Sequence, residues 1–410
     1  MTSITEMDLP LLPVERPEFQ SDPMPFVEQA RQQHPWLARF SQGYIVHGYQ
    51  AVKDLAFMDD KLEMGLGHVV DFYQVQGTPW ARFMLEMLQS HTGAEHARLR
   101  ASVAQAFTPR RANQVRPVMR RVISELLDDW APRGSFDFAE FASYFPIAVL
   151  LGVLGASTEG IPRIRNAIET HMASLTMDSA CYPGFVDAYA LLTDYVDELI
   201  AAREQAGAGD VNALLDALIA TRNAGKLSDV ELRDMVLVLL IAGYDTSKNM
   251  LTFTLYRLLE RPGDWQRCAE DPEFCARVIE EMLRHSSIAT VFRNVTQDFD
   301  YEGHTFPRGA MVAFAMPLAN RDPQAFPDPL AFDPERRFEN RHLAFGRGEH
   351  ICLGQFLARA QLEEGLHLIA QRLLNPQRNG EISWRPFLGA WGLRSLPIQF
   401  DQAGPVRGAA

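Results

Sequence analysis

A mainly α fold with a smaller β region, one large helix-rich domain crossed by a long central helix, is what this 410-residue sequence predicts. Three observations lead there. Amphipathic stretches with helical spacing follow one another from residue 94 to residue 285, divided by short polar or glycine-bearing breaks. One of them opens on a capping box, Ser228-Asp229-Val230-Glu231, and runs to about Glu260, which at roughly 1.5 Å per residue crosses the whole molecule. Strand-like patterning is confined to Tyr44–Gly48, Arg293–Met316 and Leu388–Phe400.

Composition narrows the function. The net charge of -13 argues against a nucleic-acid partner, and 47% hydrophobic residues is the content of an ordinary globular core. Four cysteines, Cys181, Cys268, Cys275 and Cys352, include no C-x-x-C pair. A zinc site and a disulfide framework are therefore not expected, and a reducing cytoplasm fits. The stretch before Pro23 lacks a basic region followed by an apolar one, so no signal peptide is expected. The longest apolar runs, Phe145–Ala156 and Met235–Gly243, fall short of the roughly 20 residues that a bilayer span needs, so no membrane is expected.

In chain order, residues 1–22 read as an extended segment, 23–402 as the folded domain and 403–410 as a tail. Residues 24–33 and Gln50–Phe57 read as short helices flanking the strand Tyr44–Gly48. Asp59–Gly93 has no clean period, yet it is too apolar to be disordered. It is read as an irregular wall of a ligand pocket, with Val69, Phe72, Phe83 and Met84 as candidates. Ala94–Phe107 reads as a helix with His96 and Arg100 on one face. Helices follow at Arg110–Trp130, Phe138–Gly155, Ile161–Thr176, Phe185–Ala206 and Val211–Arg222, with a flexible break at Gly207–Asp210; Met172 is a further pocket candidate.

In the long helix, Met235–Ile241 is apolar nearly all round, including the pocket candidate Leu239, so its middle should be buried. The pattern then breaks at Ala242-Gly243-Tyr244-Asp245-Thr246-Ser247. A buried helix gains nothing from a glycine, an acid and two hydroxyls together, and glycine alone costs about 1 kcal/mol relative to alanine. Such local costs mark function. Ala242 and Gly243 leave room for a flat cofactor, the Thr246 hydroxyl can bond to a carbonyl one turn earlier, and Asp245 can relay protons. Further on, Pro272–His285 reads as a helix pairing Glu281 with Arg284. Ile288 and Val291 border the pocket just before the β region, Asp322–Asn340 reads as an irregular loop, and Trp391 lies at the tip of a C-terminal turn and hairpin.

The stretch Phe345-Gly346-Arg347-Gly348-Glu349-His350-Ile351-Cys352-Leu353-Gly354 delivers one cysteine to the start of an amphipathic run, Leu353–Leu374. Gly346 and Gly348 allow a tight turn beneath a flat ligand. A helix N-terminus favours a thiolate, and a thiolate is the axial ligand that pushes electron density toward O–O cleavage when offered to haem iron.

This loop fills the pattern Phe-Gly-x-Gly-x-His-x-Cys-Leu-Gly and resembles that of the cytochrome P450 superfamily, of the soluble bacterial type. His96-x-x-x-Arg100, Ala242-Gly243-x-Asp245-Thr246-Ser247, Glu281-x-x-Arg284 and Pro334-Glu335-Arg336 resemble further family motifs in the family's order. The resemblance implies a P450 fold with the long helix over a haem b. It implies that Cys352 ligates the iron, that Phe345 packs over its sulfur, and that Gly346 and Gly354 belong to the same loop. His96, Arg100, Arg293 and His350 are implied to reach the propionates, and Ala242 and Gly243 to face the haem. Asp245 and Thr246 are implied to deliver protons, and Glu281, Arg284 and Arg336 to form a buried structural trio. Glu349 departs from the pattern, placing an acid where an uncharged residue is common. It is read as able to repel an acidic redox partner or to alter the iron's potential.

The implied activity is a haem-thiolate monooxygenase that uses O2 and two electrons to hydroxylate, or otherwise oxidise, a small apolar molecule such as a terpenoid, aromatic, steroid or lipid. The candidate pocket residues carry no charge that would anchor an acid or amine. No dinucleotide fingerprint occurs, so the electrons are expected from an external ferredoxin and its reductase, docking on Arg110, Arg111, Arg116, Arg120, Arg121 and Arg359. A peroxide-driven enzyme and a non-catalytic haem sensor are the alternatives. The pairing of Asp245 with Thr246 weighs against both.

Overall fold

Ser228 and Glu231 start the element on which the molecule is built. The Glu231 N–H donates to Ser228 Oγ at 3.1 Å, and the Ser228 N–H donates to the Glu231 carboxylate at 2.7 Å. This satisfies two of the amide groups that a helix start leaves open. The helix they cap, Asp229–Leu258, has 30 residues and buries nearly every residue from Leu232 to Leu258. It packs against Phe138–Leu154, Tyr182–Ala206 and Gln355–Arg372, and the last of these packs in turn on Pro109–Trp130. The computed structural model describes residues 1–207 and 213–402. The expected break at Gly207–Asp210 and the first residues of Val211–Arg222 fall partly outside them, as does the tail 403–410.

The β part lies to one side. A five-stranded sheet runs in the order Leu37–Phe40, Gly43–Val46, Met311–Ala315, Thr290–Val295, Leu62–Met64, and only its Gly43–Val46/Met311–Ala315 pair is parallel. Met311–Ala315 is buried along its whole length, as a central strand covered on both faces should be. This sheet fixes Arg293, whose register partners are Met64 and Val312.

Several expectations differ from the fold. Asp59–Gly93 is not irregular: it holds the strand Leu62–Met64 and two short helices, Leu66–Tyr73 and Pro79–Glu86. Each helix is too short to show a period, and Thr78 caps the second by accepting the Ala81 N–H. The segment 1–22 is more than extended chain, since Thr2–Ser3 pairs with His304–Thr305 and Pro17–Ser21 is helical. A helix at Pro262–Glu270 was not foreseen. The C-terminal stretch does not pair with itself. Leu393–Ser395 pairs with Ser383–Trp384, and Pro397–Gln402 pairs with Leu373–Arg378. Among the described residues, no helix is long and apolar enough to cross a membrane.

Candidate active site

The central helix, the loop before Gln355–Arg372 and the strand Thr290–Val295 enclose a cavity of about 380 Å³. The loop closes on itself where the Cys352 N–H donates to the Phe345 carbonyl at 2.8 Å. Gly348 has φ +73°, and a Cβ there would stand 2.1 Å from the Ala56 carbonyl oxygen, so glycine is required. Gly346, at φ +67°, makes the turn that brings Phe345 beneath the loop, where the Arg359 guanidinium lies 4.5 Å over its ring.

Cys352 lines the cavity. Burial pushes its thiol up, while the N–H groups of Gly354 and Gln355 and the charges of Arg100 and Arg359 pull the other way. Burial prevails. The N–H groups at the helix start thus act in the expected sense, favouring the thiolate against burial.

Five cationic or imidazole side chains line the same cavity: His96, Arg100, Arg293, Arg347 and His350. Arg293 is 4% exposed, and burial pulls it down to about 10, with Asp59 acting in the opposite sense. Arg100 donates to the Ile351 carbonyl at 2.7 Å, and burial lowers it too. Both ring nitrogens of His350 are buried without a hydrogen-bond partner among the described residues. Burial, followed by Arg293, His96 and Arg100, depresses His350 to about 3. The buried guanidiniums of Arg100 and Arg293 are short of anions, and the neutral imidazole of His350 is short of hydrogen-bond partners.

On the central helix, Thr246 lines the cavity and donates its hydroxyl to the Ala242 carbonyl at 2.8 Å. Ala242 and Gly243 also line it, but the side that Gly243 leaves bare faces Leu150, whose Cδ2 would lie 3.0 Å from a Cβ. Its small size thus admits a neighbouring helix as well as a ligand. Asp245 is fully buried and is not among the cavity-lining residues. Its Oδ1 accepts from Arg385 Nη1 at 2.5 Å, while Oδ2 has no partner among the described residues. Sequence reasoning missed Arg385, which stands 140 residues away with no motif around it.

Glu281 and Arg284 are both wholly buried and joined by two hydrogen bonds, at 2.6 and 2.9 Å. Arg336 Nε reaches the same carboxylate at 3.3 Å, and the Asp333 N–H donates to it at 2.9 Å. Further guanidinium N–H groups go to carbonyls of the 320–331 segment, whose Asn320 Oδ1 in turn accepts the Leu343 N–H at 2.7 Å just before the cysteine loop.

Of the ten expected pocket residues, Leu239, Ala242, Ile288 and Val291 line the cavity. Val69, Phe83, Met84 and Trp391 are core residues at most 3% exposed, and Phe72 and Met172 pack against that core. Trp391 is held by its N–H to the Gln20 carbonyl at 2.7 Å and by Phe253, ring to ring at 4.9 Å. In their place Leu88, Gln89, Val149, Leu150, Val238, Met250, Phe314 and Met316 form the wall. Of the six arginines read as a docking patch, Arg116, Arg120 and Arg359 are committed to Glu363, Glu364 and Glu280, and Arg121 lies 3.9 Å from Glu125.

Residues 166–378 match the family described as cytochrome P450. The chain is also 35% identical over 401 residues, 97% of each chain, to luteothin monooxygenase of Streptomyces thioluteus. The chain belongs to the cytochrome P450 family. Among solved P450 structures, CxnD, an enzyme for C–S bond formation in chuangxinmycin biosynthesis, is 27% identical with a TM-score of 0.85, covering 97% of this chain and 98% of its own. The P450 CYP109E1 of Bacillus megaterium, solved in complex with testosterone, is 26% identical with a TM-score of 0.83, covering 94% of this chain and 100% of its own. The protein is thus a P450 monooxygenase, a haem-iron enzyme that takes O2, a redox partner and a small substrate.

The residues present fit that cofactor. A cavity-facing, half-buried thiol with two helix-start N–H groups beside it suits an iron ligand. The guanidiniums of Arg100 and Arg293 and the imidazoles of His96 and His350, which among the described residues have no ion-pair partner closer than 3.8 Å, suit a pair of propionates.

Proposed function

We propose that this P450 inserts oxygen into an apolar small molecule of the terpenoid, aromatic, steroid or lipid kind, with haem b as cofactor and electrons from an external ferredoxin and its reductase. The observation that carries the reading is the meeting of Cys352 with His96, Arg100, Arg293 and His350 in one cavity whose other wall is aliphatic and aromatic. Cys352 would hold the iron, and the guanidiniums of Arg100 and Arg293 with the imidazoles of His96 and His350 would hold the propionates. The haem supplies reductive activation of O2.

The protein's own contribution follows from the wall. Leu239, Val238, Ile288, Val291 and Phe314 exclude water and orient a substrate by shape, since no charged group faces it from that side. Thr246 holds a proton at Oγ1 on the cavity surface, parked on the Ala242 carbonyl. Asp245, one residue earlier, keeps Oδ2 free to take up and pass on a proton from behind the wall. Beside the cysteine loop, the exposed Arg341 borders Phe345 and Gly346 and offers positive charge to an acidic ferredoxin.

The deciding experiment is the spectrum of the reduced, carbon monoxide-bound protein, followed by oxygen uptake with a surrogate ferredoxin and reductase. The red-shifted Soret band of a thiolate-bound haem, with ferredoxin-dependent oxygen uptake, is the expected result. Turnover with peroxide alone would move the protein to the peroxide-driven class. A haem band with no turnover from either source would leave a binding protein.

A further inference from the structure

We propose that Glu349 is a positioning residue: it clamps the helix Gly93–Ala101 to the cysteine loop and so sets where His96 and Arg100 meet the haem propionates. This rests on the haem reading above.

That helix is poorly held by its own means. It has nine residues, buries only His96 and Leu99, and its N-cap, Thr92, makes no side-chain capping bond. Its first residue, Gly93, has φ +59°, a conformation that strains any residue with a Cβ. The Gly93 N–H has no acceptor inside the helix. Glu349, 256 residues away, supplies one, and its Oε1 accepts that N–H at 2.9 Å. A carboxylate at this end of a helix is also favoured by the helix dipole.

The same Oε1 lies 3.8 Å from His96 Nδ1 and 3.8 Å from His350 Nε2. The two imidazoles are thereby gathered, with their ring centroids 4.6 Å apart. Glu349 is fixed in turn, since its own N–H donates to Asp59 Oδ2 at 3.4 Å. One acid therefore joins the two elements that bring His96, Arg100 and His350 to the propionate end of the cavity. The side chain is 29% exposed and turned inward, so its role is toward the cofactor and not toward a docking partner.

The test uses holoprotein. The rate of haem transfer to excess apomyoglobin and the reduction potential are measured for the native chain and for Glu349→Ala, Glu349→Gln and Arg100→Ala. Glu349→Ala should lose haem roughly tenfold faster, the usual effect of removing a group that orients a ligand. Glu349→Gln keeps an acceptor oxygen for Gly93 and should stay within about twofold of native, because the hydrogen bond survives. Both Glu349 variants should raise the potential, since a negative charge beside the propionate cations is gone. Native haem loss in Glu349→Ala with fast loss in Arg100→Ala overturns the clamp alone. Native loss in both overturns the propionate reading and the clamp with it. Equal loss from the Gln and Ala variants, or an unchanged potential in both, overturns the positioning role.

Discussion

Arg385 holds Asp245 by a 2.5 Å ion pair in which the carboxylate is wholly buried and the guanidinium nearly so. The same guanidinium donates to Asn249 Oδ1 at 3.2 Å. Burial pulls Arg385 down, but Asp245 and Glu169 more than reverse this and raise it. Arg385 sits on a segment fastened to the cavity wall: its N–H donates to the Gly392 carbonyl at 2.9 Å, and the next residue back, Trp391, donates to Ile288 at 2.9 Å. The acid expected to move protons is thus tied, through one arginine, to the strand end that borders the substrate space.

Arg385→Gln should therefore destabilise the fold by about 3–5 kcal/mol, because it leaves Asp245 buried without its cation. Arg385→Lys should lose less, keeping the charge but not the fork. Urea unfolding measures both. Equal stability of Arg385→Gln and the native chain would mean that Asp245 has a replacement partner, with Asn249 the nearest candidate.

Thr246→Ala should cut product formed per electron by up to about 100-fold, the low end of what a positioned proton donor contributes, with the difference appearing as hydrogen peroxide. Thr246→Ser should retain most of the yield, since it keeps the hydroxyl at the Ala242 carbonyl. The assay is product and peroxide per reducing equivalent with a surrogate ferredoxin. A peroxide yield in Thr246→Ala no greater than native would remove Thr246 from the proton path.

Gly348 and the Glu281–Arg284 pair were legible because local geometry demands a residue type at a fixed spacing. A glycine at 348 is forced by the Ala56 carbonyl, and an acid three residues before Arg284 is forced by the need to neutralise it where no water reaches. The long helix was legible from its capping box and apolar run, and its observed end, Leu258, lies within two residues of the expected one. The cavity wall was not legible. Val69 and Phe83 are as apolar as Val238 and Phe314, and composition cannot say which apolar side chain faces a void and which faces a neighbour. Leu66–Tyr73 and Pro79–Glu86, at eight residues each, are too short for a period to emerge. Arg385 and Glu349 act through partners 140 and 256 residues distant, which no local pattern encodes.

Glu281→Gln should be among the most damaging single-atom changes in the chain. It removes the one carboxylate that serves Arg284 at 2.6 Å and Arg336 at 3.3 Å, and Arg284 has no exposure to water. Breaking a buried pair in this way costs about 3–5 kcal/mol. Because the trio anchors the 320–331 segment, whose Asn320 holds the Leu343 N–H just before the cysteine loop, haem content of the purified protein should fall along with stability. A fully haem-loaded Glu281→Gln with native unfolding would show that the arginines' carbonyl contacts suffice.

Acid should unfold this protein earlier than its carboxylates alone would, because three histidines away from the cofactor cavity are buried in the neutral form. Burial, followed by Arg31, holds His47 at about 3; burial alone holds His171 at about 4; burial, followed by Arg321, Arg257 and Arg284, holds His285 at about 2. In the unfolded chain each titrates near its ordinary value of about 6.5. As pH falls below that value, the unfolded state takes up protons that the folded state refuses, so stability drops with falling pH. Each histidine contributes about 1.4 kcal/mol per pH unit, and the three together about 4, between roughly pH 6 and pH 4. Urea midpoints at pH 7.5, 6 and 5 give the slope. His171→Phe tests the assignment. The ring lies among Trp80, Phe83 and Tyr189, which can receive a phenyl group, and removing one titrating group should lower the slope by about a third. A slope in His171→Phe as steep as in the native chain would mean that His171 takes up its proton without unfolding.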